Sequence, residues 1–131
     1  MILKIPFLFD INPIKTLIKM QVYHNPRCGK SRNCLAYLEQ NKIEFETIKY
    51  LEQPPTKDQI IDLLKMLDMS PLDLVRKKEK IWIENFKNQA LTDDNIITAM
   101  VDNPILIERP IIIKDGKARI ARDIESIQKI A

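Results

Sequence analysis

The chain has 131 residues, of which 45% are hydrophobic and 30% charged, and its formal net charge is +3. That length suggests one domain with a core of its own, and the balance argues against wholesale disorder. The mild positive charge does not by itself indicate nucleic acid, although locally clustered cations could favour a small anion.

Two cysteines and one histidine are too few for a disulfide framework or a convincing zinc site. Sparse cysteine and no secretory signal suggest a reducing, cytoplasmic setting. The opening stretch MILKIPFLFDINPIKTLIKM is apolar but carries Lys4, Asp10, Lys15 and Lys19, and Pro6 and Pro13 interrupt it. No uninterrupted run approaches the roughly 20 apolar residues needed to span a bilayer, and no small-residue cleavage site follows. Met20 stands directly before the first strand-like run. Residues 1–19 are therefore expected to lie outside the domain, as an upstream over-reading of the start codon or as an appendage, with residues 20–131 forming the domain itself.

Gln21-Val22-Tyr23 reads as a short strand. Pro26 and Gly29 break the chain, and from Lys30 to Asn41 the apolar positions fit one face of a helix. Glu44 to Ile48 alternates as a second strand. Thr56 is placed to cap a helix whose buried stripe is Ile60, Ile61, Leu63, Leu64 and Leu67. Ser70-Pro71 reads as an N-cap followed by proline at the first helical position, opening a short helix that ends near Arg76-Lys77-Lys78. Thr92 caps another helix, which Pro104 ends. Ile111 to Ile113, a turn at Asp115-Gly116 and Ala118 to Ala121 form a hairpin signature, and a last helix runs from about Asp123 to Ile130. The order β-α-β, helical insertion, β-β-α predicts an α/β, thioredoxin-like fold with a mixed four-stranded sheet.

Cys28 follows a strand and stands where a helix begins. Free backbone N–H groups and the positive end of the helix dipole favour a thiolate there. Arg27, Lys30 and Arg32 add nearby charge, and His24 could add a hydrogen bond. The same N–H groups form a cradle for an anion. A buried, inert thiol is the competing reading. Position 31 is serine, so Cys28 lacks a C-x-x-C partner and would need an external thiol to complete a redox cycle. Cys34, about 9 Å further along the helix and on another face, reads as a packed core thiol.

The stretch YHNPRCGKSRN, Tyr23 to Asn33, is similar to the active-site loop of the glutaredoxin-coupled arsenate reductase family. The likeness continues through YLEQPP at Tyr50 to Pro55, LVRKK at Leu74 to Lys78, LTDD at Leu91 to Asp94 and NPILIERPI at Asn103 to Ile111. It covers about residues 20–130, and the cysteine loop together with the P-I-L-I-x-R-P segment is a specific combination. The resemblance implies a thioredoxin-like fold and a reaction, the reduction of arsenate to arsenite. Cys28 would be the catalytic thiol, with His24 and Ser31 keeping it ionised. Arg76, Arg109 and Arg122 would bind arsenate, since guanidinium groups pair with tetrahedral oxyanions. Asn25, Gly29 and Arg32 would support the loop, and Pro110 would be the cis-proline beside the cysteine. The resemblance further implies glutathione as co-substrate, glutaredoxin as partner, no bound cofactor or metal, and neither nucleic acid nor membrane as partner. Nothing in the chain demands more than a monomer.

Taken singly, each arginine could be an ordinary surface charge, with Arg76 answering a helix dipole or Arg109 pairing with Glu108. Arg27 and Cys34 depart from the family pattern, and residues 1–19 have no counterpart. Two other functions share the fold: a glutathione-dependent thiol reductase with a different substrate, and an Spx-type regulator that binds RNA polymerase. Ser31 removes the C-x-x-C switch such regulators often carry.

Overall fold

The computed structural model describes residues 20–131; the expectation about residues 1–19 lies outside the described residues. Four strands form one mixed sheet in the order β2-β1-β3-β4. They are β1 (Met20–Tyr23), β2 (Glu46–Ile48), β3 (Ile111–Lys114) and β4 (Lys117–Ile120). β1 pairs parallel with β2 and antiparallel with β3, and β3 pairs antiparallel with β4. Helix α1 (Gly29–Gln40) connects β1 to β2. Four helices fill the insertion between β2 and β3: α2 (Lys57–Leu67), α3 (Pro71–Leu74), α4 (Lys80–Asn85) and α5 (Asp93–Asp102). A 3-10 turn (Pro104–Leu106) follows them, and α6 (Ile124–Ile130) closes the chain. This is the expected thioredoxin-like arrangement.

Strand period two distributes the core to both sheet faces. Met20, Val22 and Ile112 face one way and pack with Cys34 and Leu38 of α1 and Ile127 of α6. Tyr23 and Ile111 face the other way, onto Ile60, Leu63 and Leu64 of α2 and Ile96, Ile97 and Met100 of α5. Central β3 is therefore covered on both faces, which is why it reads Ile-Ile-Ile rather than alternating. Ile112 is fully buried. Ile112→Ala is expected to cost about 2–5 kcal/mol, read as a lower urea midpoint with an unchanged slope. A loss below about 1 kcal/mol would show that the core does not depend on this strand.

Local chemistry sets the helix ends. Thr56 accepts from Gln59 N–H (3.2 Å) while the Gln59 side chain accepts from Thr56 N–H (2.9 Å). Thr92 and Asn95 repeat this reciprocal capping box, and each cap is worth ~1 kcal/mol. Ser70 behaves differently: its hydroxyl bonds the Asp73 carboxylate at 3.1 Å and caps no backbone group. The β3–β4 turn places Asp115 at φ 51° and Gly116 at φ 78°. Two consecutive positive φ values are the signature of a type I′ hairpin, and glycine is the residue that takes the second without strain.

Two features depart from the reading of the sequence. Helix α3 stops at Leu74, because Val75 leaves it to form an antiparallel bridge with Ile107. Helix α4 was not foreseen. It is a single short element that buries Trp82, which stacks on Phe86 at 5.6 Å.

Candidate active site

Cys28 is the N-cap of α1, with extended backbone (φ −95°, ψ 122°). Its N–H donates to Asn25 O (3.0 Å) and its carbonyl accepts from Arg32 N–H (3.0 Å). Asn25 is buried, and its side-chain oxygen accepts from Arg27 N–H at 2.9 Å. Ser31 is buried behind the loop. Its Oγ lies 2.6 Å from His24 Nδ1 and accepts from Asn25 N–H at 3.1 Å. Arg32 donates to Pro26 O at 3.0 Å and points to solvent. Gly29 is the first residue of α1.

The arginine segments are stitched together by backbone. Arg76 N–H donates to Leu106 O (2.7 Å) and Glu108 N–H to Leu74 O (2.9 Å), on either side of the Val75–Ile107 bridge. Buried Tyr50 stacks on Tyr23 and reaches Ile107 O at 3.4 Å. The Arg109–Pro110 bond is cis. Ala121 N–H donates to Pro110 O at 2.9 Å, and Arg122 donates to Arg109 O at 2.7 Å. Three chain segments thus reach the mouth of the Cys28 loop.

They enclose a cavity of about 400 Å³ lined by Arg27, Cys28, Gly29, Lys30, Asn33, Arg76, Arg109 and Arg122. No carboxylate lines it. Cys28 and the three arginines therefore share one space. His24 and Ser31 stand behind it, while Asn25, Arg32 and Pro110 shape its frame. Among these, Arg109 is 5% exposed. Its guanidinium donates to Ile105 O (2.9 Å), Ile107 O (3.4 Å) and Glu79 (3.3 Å), and its Nε is buried with no protein partner. An orphaned buried donor in a cationic cavity suits an oxyanion acceptor.

Burial pushes the Cys28 thiol up, but the Ser31 and Lys30 backbone N–H groups and the Arg109 guanidinium together bring it below its ordinary value. The amides are the free donors of a helix start. The sequence had pointed instead to Arg27, Lys30 and Arg32 as the source of charge. All three side chains are exposed, and the guanidinium that acts on the thiol is Arg109. His24 is held below the usual histidine range, first by burial and then by Lys49 and Arg32. Each of these causes disfavours its charged form, so it is a poor source of positive charge for the thiol.

Cys34 is 1% exposed, and burial pushes its thiol up to about 11. At neutral pH, iodoacetamide is expected to label Cys28 and leave Cys34 untouched until the chain is unfolded. Only the thiolate reacts, so the labelling rate should climb with pH and reach half its maximum below the ordinary thiol pKa. A midpoint at or above that value would refute the electrostatic reading. Among the described residues, no cluster of His, Cys, Asp or Glu could hold a metal ion.

Asn33, which the sequence reading fitted to the loop alongside Arg32, also lines the cavity; Glu79, which bonds two of the arginines, was not singled out. The available signal for Glu79 was its i,i+3 spacing from Arg76.

The ArsC family profile matches residues 23–130. The chain is 46% identical over 114 residues to YfgD, an uncharacterized protein of Escherichia coli (strain K12), covering 86% of this chain and 96% of that one. It is 36% identical to the arsenate reductase of Neisseria meningitidis serogroup B, covering 86% of this chain and 97% of that one. The structure of the arsenate reductase from Vibrio cholerae superposes with a TM-score of 0.81 at 38% identity, covering 87% of this chain and 98% of the other.

Proposed function

Because the chain belongs to the ArsC family, we propose that it reduces arsenate to arsenite, with Cys28 as nucleophile and with glutathione and glutaredoxin supplying the electrons. The observation that carries this reading is the shared cavity, where a lowered thiol meets Arg76, Arg109 and Arg122 and no carboxylate.

In this reading arsenate enters as the anion the cavity lacks. Its oxygens take N–H groups that Arg76 and Arg109 leave unpaired. Arginine is suited to this because its fork can bond two oxygens at once. The Cys28 thiolate attacks arsenic, an S–As bond forms, and an oxygen leaves as hydroxide or water. The helix-start amides that held the thiolate are then free to stabilise the oxygens of the adduct.

Cys34 cannot release the adduct, being buried and protonated, so an external thiol is required. Glutathione attacks arsenic in the adduct, forming a second S–As bond as another oxygen leaves as water. A glutaredoxin thiolate then attacks that glutathione sulfur, an S–S bond forms, the S–As electron pair stays on arsenic, and water releases arsenite and the Cys28 thiol. Over one cycle two thiols are oxidised to a disulfide, arsenic gains two electrons, and one oxygen departs as water. His24 acts at one remove: its charged form is disfavoured, and it bonds Ser31, whose backbone N–H faces the sulfur. The pair therefore fixes the loop that aims this amide. A thiol cycle of this kind suits a reducing cytoplasm. No helix among the described residues is long and apolar enough to cross a membrane.

The test is arsenate-dependent NADPH oxidation coupled through glutathione, glutaredoxin and glutathione reductase, with each component omitted in turn. Turnover should require arsenate, glutathione and glutaredoxin. Turnover with thioredoxin and no glutathione would overturn the donor assignment. Absence of turnover with every donor, while Cys28 still alkylates readily, would overturn the substrate assignment.

A further inference from the structure

Glu79 sits at the start of α4, where its N–H donates to Arg76 O at 3.1 Å and its carbonyl accepts from Ile83 N–H at 3.1 Å. Its backbone is thus fixed at both ends. One carboxylate oxygen, Oε2, accepts from Arg76 Nε at 2.9 Å and from Arg109 at 3.3 Å. Two guanidinium groups that would repel each other are held side by side by a single anion. Glu79 itself does not line the cavity, so its charge stands behind the arginines rather than in the path of an incoming oxyanion.

The hydrogen-bond accounting gives this arrangement direction. Arg76 spends Nε on Glu79, and among the described residues its remaining N–H groups form no hydrogen bond to protein. Arg109 spends both N–H groups of Nη1 on backbone carbonyls and one of Nη2 on Glu79, which leaves the second Nη2 N–H and Nε unpaired. Arg109 has three anchors; Arg76 has Glu79 alone for its guanidinium. The third arginine has a weaker analogue: Glu108 Oε1 lies 3.9 Å from Arg122, too far for a hydrogen bond.

We infer that Glu79 is a positioning residue for the oxyanion site, bridging Arg76 and Arg109 through one oxygen so that their unspent N–H groups face Cys28. The inference rests on the reading of the cavity as an arsenate site. It predicts two separable effects. Without Glu79, Arg76 is free to swing into solvent, so arsenate affinity falls. At the same time a negative charge beside Arg109 is lost while its carbonyl anchors remain, so the Cys28 thiolate becomes easier to form. The titratable and charged groups around that thiol are Arg27, Lys30, Arg76, Arg109 and Arg122 lining the cavity, with His24 behind Ser31; of these only Arg76 is loosened, and Arg109, the guanidinium that acts on the sulfur, keeps its carbonyl anchors.

The experiment compares wild type, Glu79→Ala and Glu79→Gln by arsenate KM and kcat and by the pH profile of Cys28 alkylation. In Glu79→Ala, KM should rise ~10-fold, the scale of losing one charge-assisted hydrogen bond, with a smaller change in kcat. Glu79→Gln keeps an acceptor oxygen and should lie between. Both should alkylate with a lower midpoint than wild type. A KM unchanged or lowered in Glu79→Ala would overturn positioning, since a purely electrostatic role would improve anion binding. If wild type turns over no arsenate, the proposed function fails on its own, and the alkylation profile decides the rest: an unshifted midpoint in both variants would overturn any coupling of Glu79 to the site.

Discussion

Cys28→Ser protein will lose arsenate-dependent NADPH oxidation by at least about 10³-fold, the scale expected when the nucleophile of a covalent mechanism is removed. A serine hydroxyl stays protonated where the thiol ionises, so no anionic nucleophile remains to form the bond to arsenic. The N-cap geometry should survive, because serine is a favourable N-cap residue, so the variant is expected to fold with the wild-type circular dichroism spectrum. Cys34 offers no rescue: it is 1% exposed, and its thiol is pushed up to about 11. Retention of a tenth or more of wild-type turnover would remove Cys28 from the reaction.

Arg109→Lys is expected to have the second-largest effect, lowering kcat/KM by about 10²–10³-fold, as loss of a preorganised oxyanion donor does. A lysine carries the charge but presents one nitrogen, whereas Arg109 anchors itself on Ile105, Ile107 and Glu79 and still has two of its five N–H groups unspent. One atom cannot do both. The Arg109 guanidinium also helps lower the Cys28 thiol. Removing it from its place should raise the thiol toward its ordinary value, so less thiolate is present at pH 7. The sign gives a second readout: raising pH should recover part of kcat in the variant, as the thiolate forms, but should leave the elevated KM in place. A variant with wild-type KM and an unshifted alkylation profile would show that Arg109 serves structure alone.

The two guanidinium-bearing segments that matter most were legible to different degrees. Arg109 precedes a proline inside the N-P-I-L-I-E-R-P-I stretch, so resemblance to a known family could single it out. No side chain in its own neighbourhood announced that it would be buried, because the groups that satisfy it are the backbone carbonyls of Ile105 and Ile107, which carry no sequence signal, and the distant Glu79. Arg76 was expected near the end of a helix. It lies instead just beyond the Val75–Ile107 bridge, because Arg76 N–H found Leu106 O and the chain left its helix to make that bond. Helix α4 escaped the sequence reading for a local reason: it is a short element whose N-cap, Glu79, makes no side-chain cap bond, so neither period nor cap marked it.

Contacts between near neighbours in the chain determined the rest. The strand periods of β1 and β3, the reciprocal caps at Thr56 and Thr92, and the Asp115-Gly116 turn each depend on residues within a few positions of one another. The composition of such a window carries the energy that decides them. By the same logic, the sequence by itself determined that Cys28 would stand at a helix start and meet the Lys30 and Ser31 amides. Only the tertiary structure decided which charge acts on it. Exposed Arg27, Lys30 and Arg32 are adjacent in sequence but surrounded by solvent, where water screens them. Arg109 is distant in sequence but buried beside the thiol, and in that less polarisable surrounding its charge acts on the sulfur with little screening.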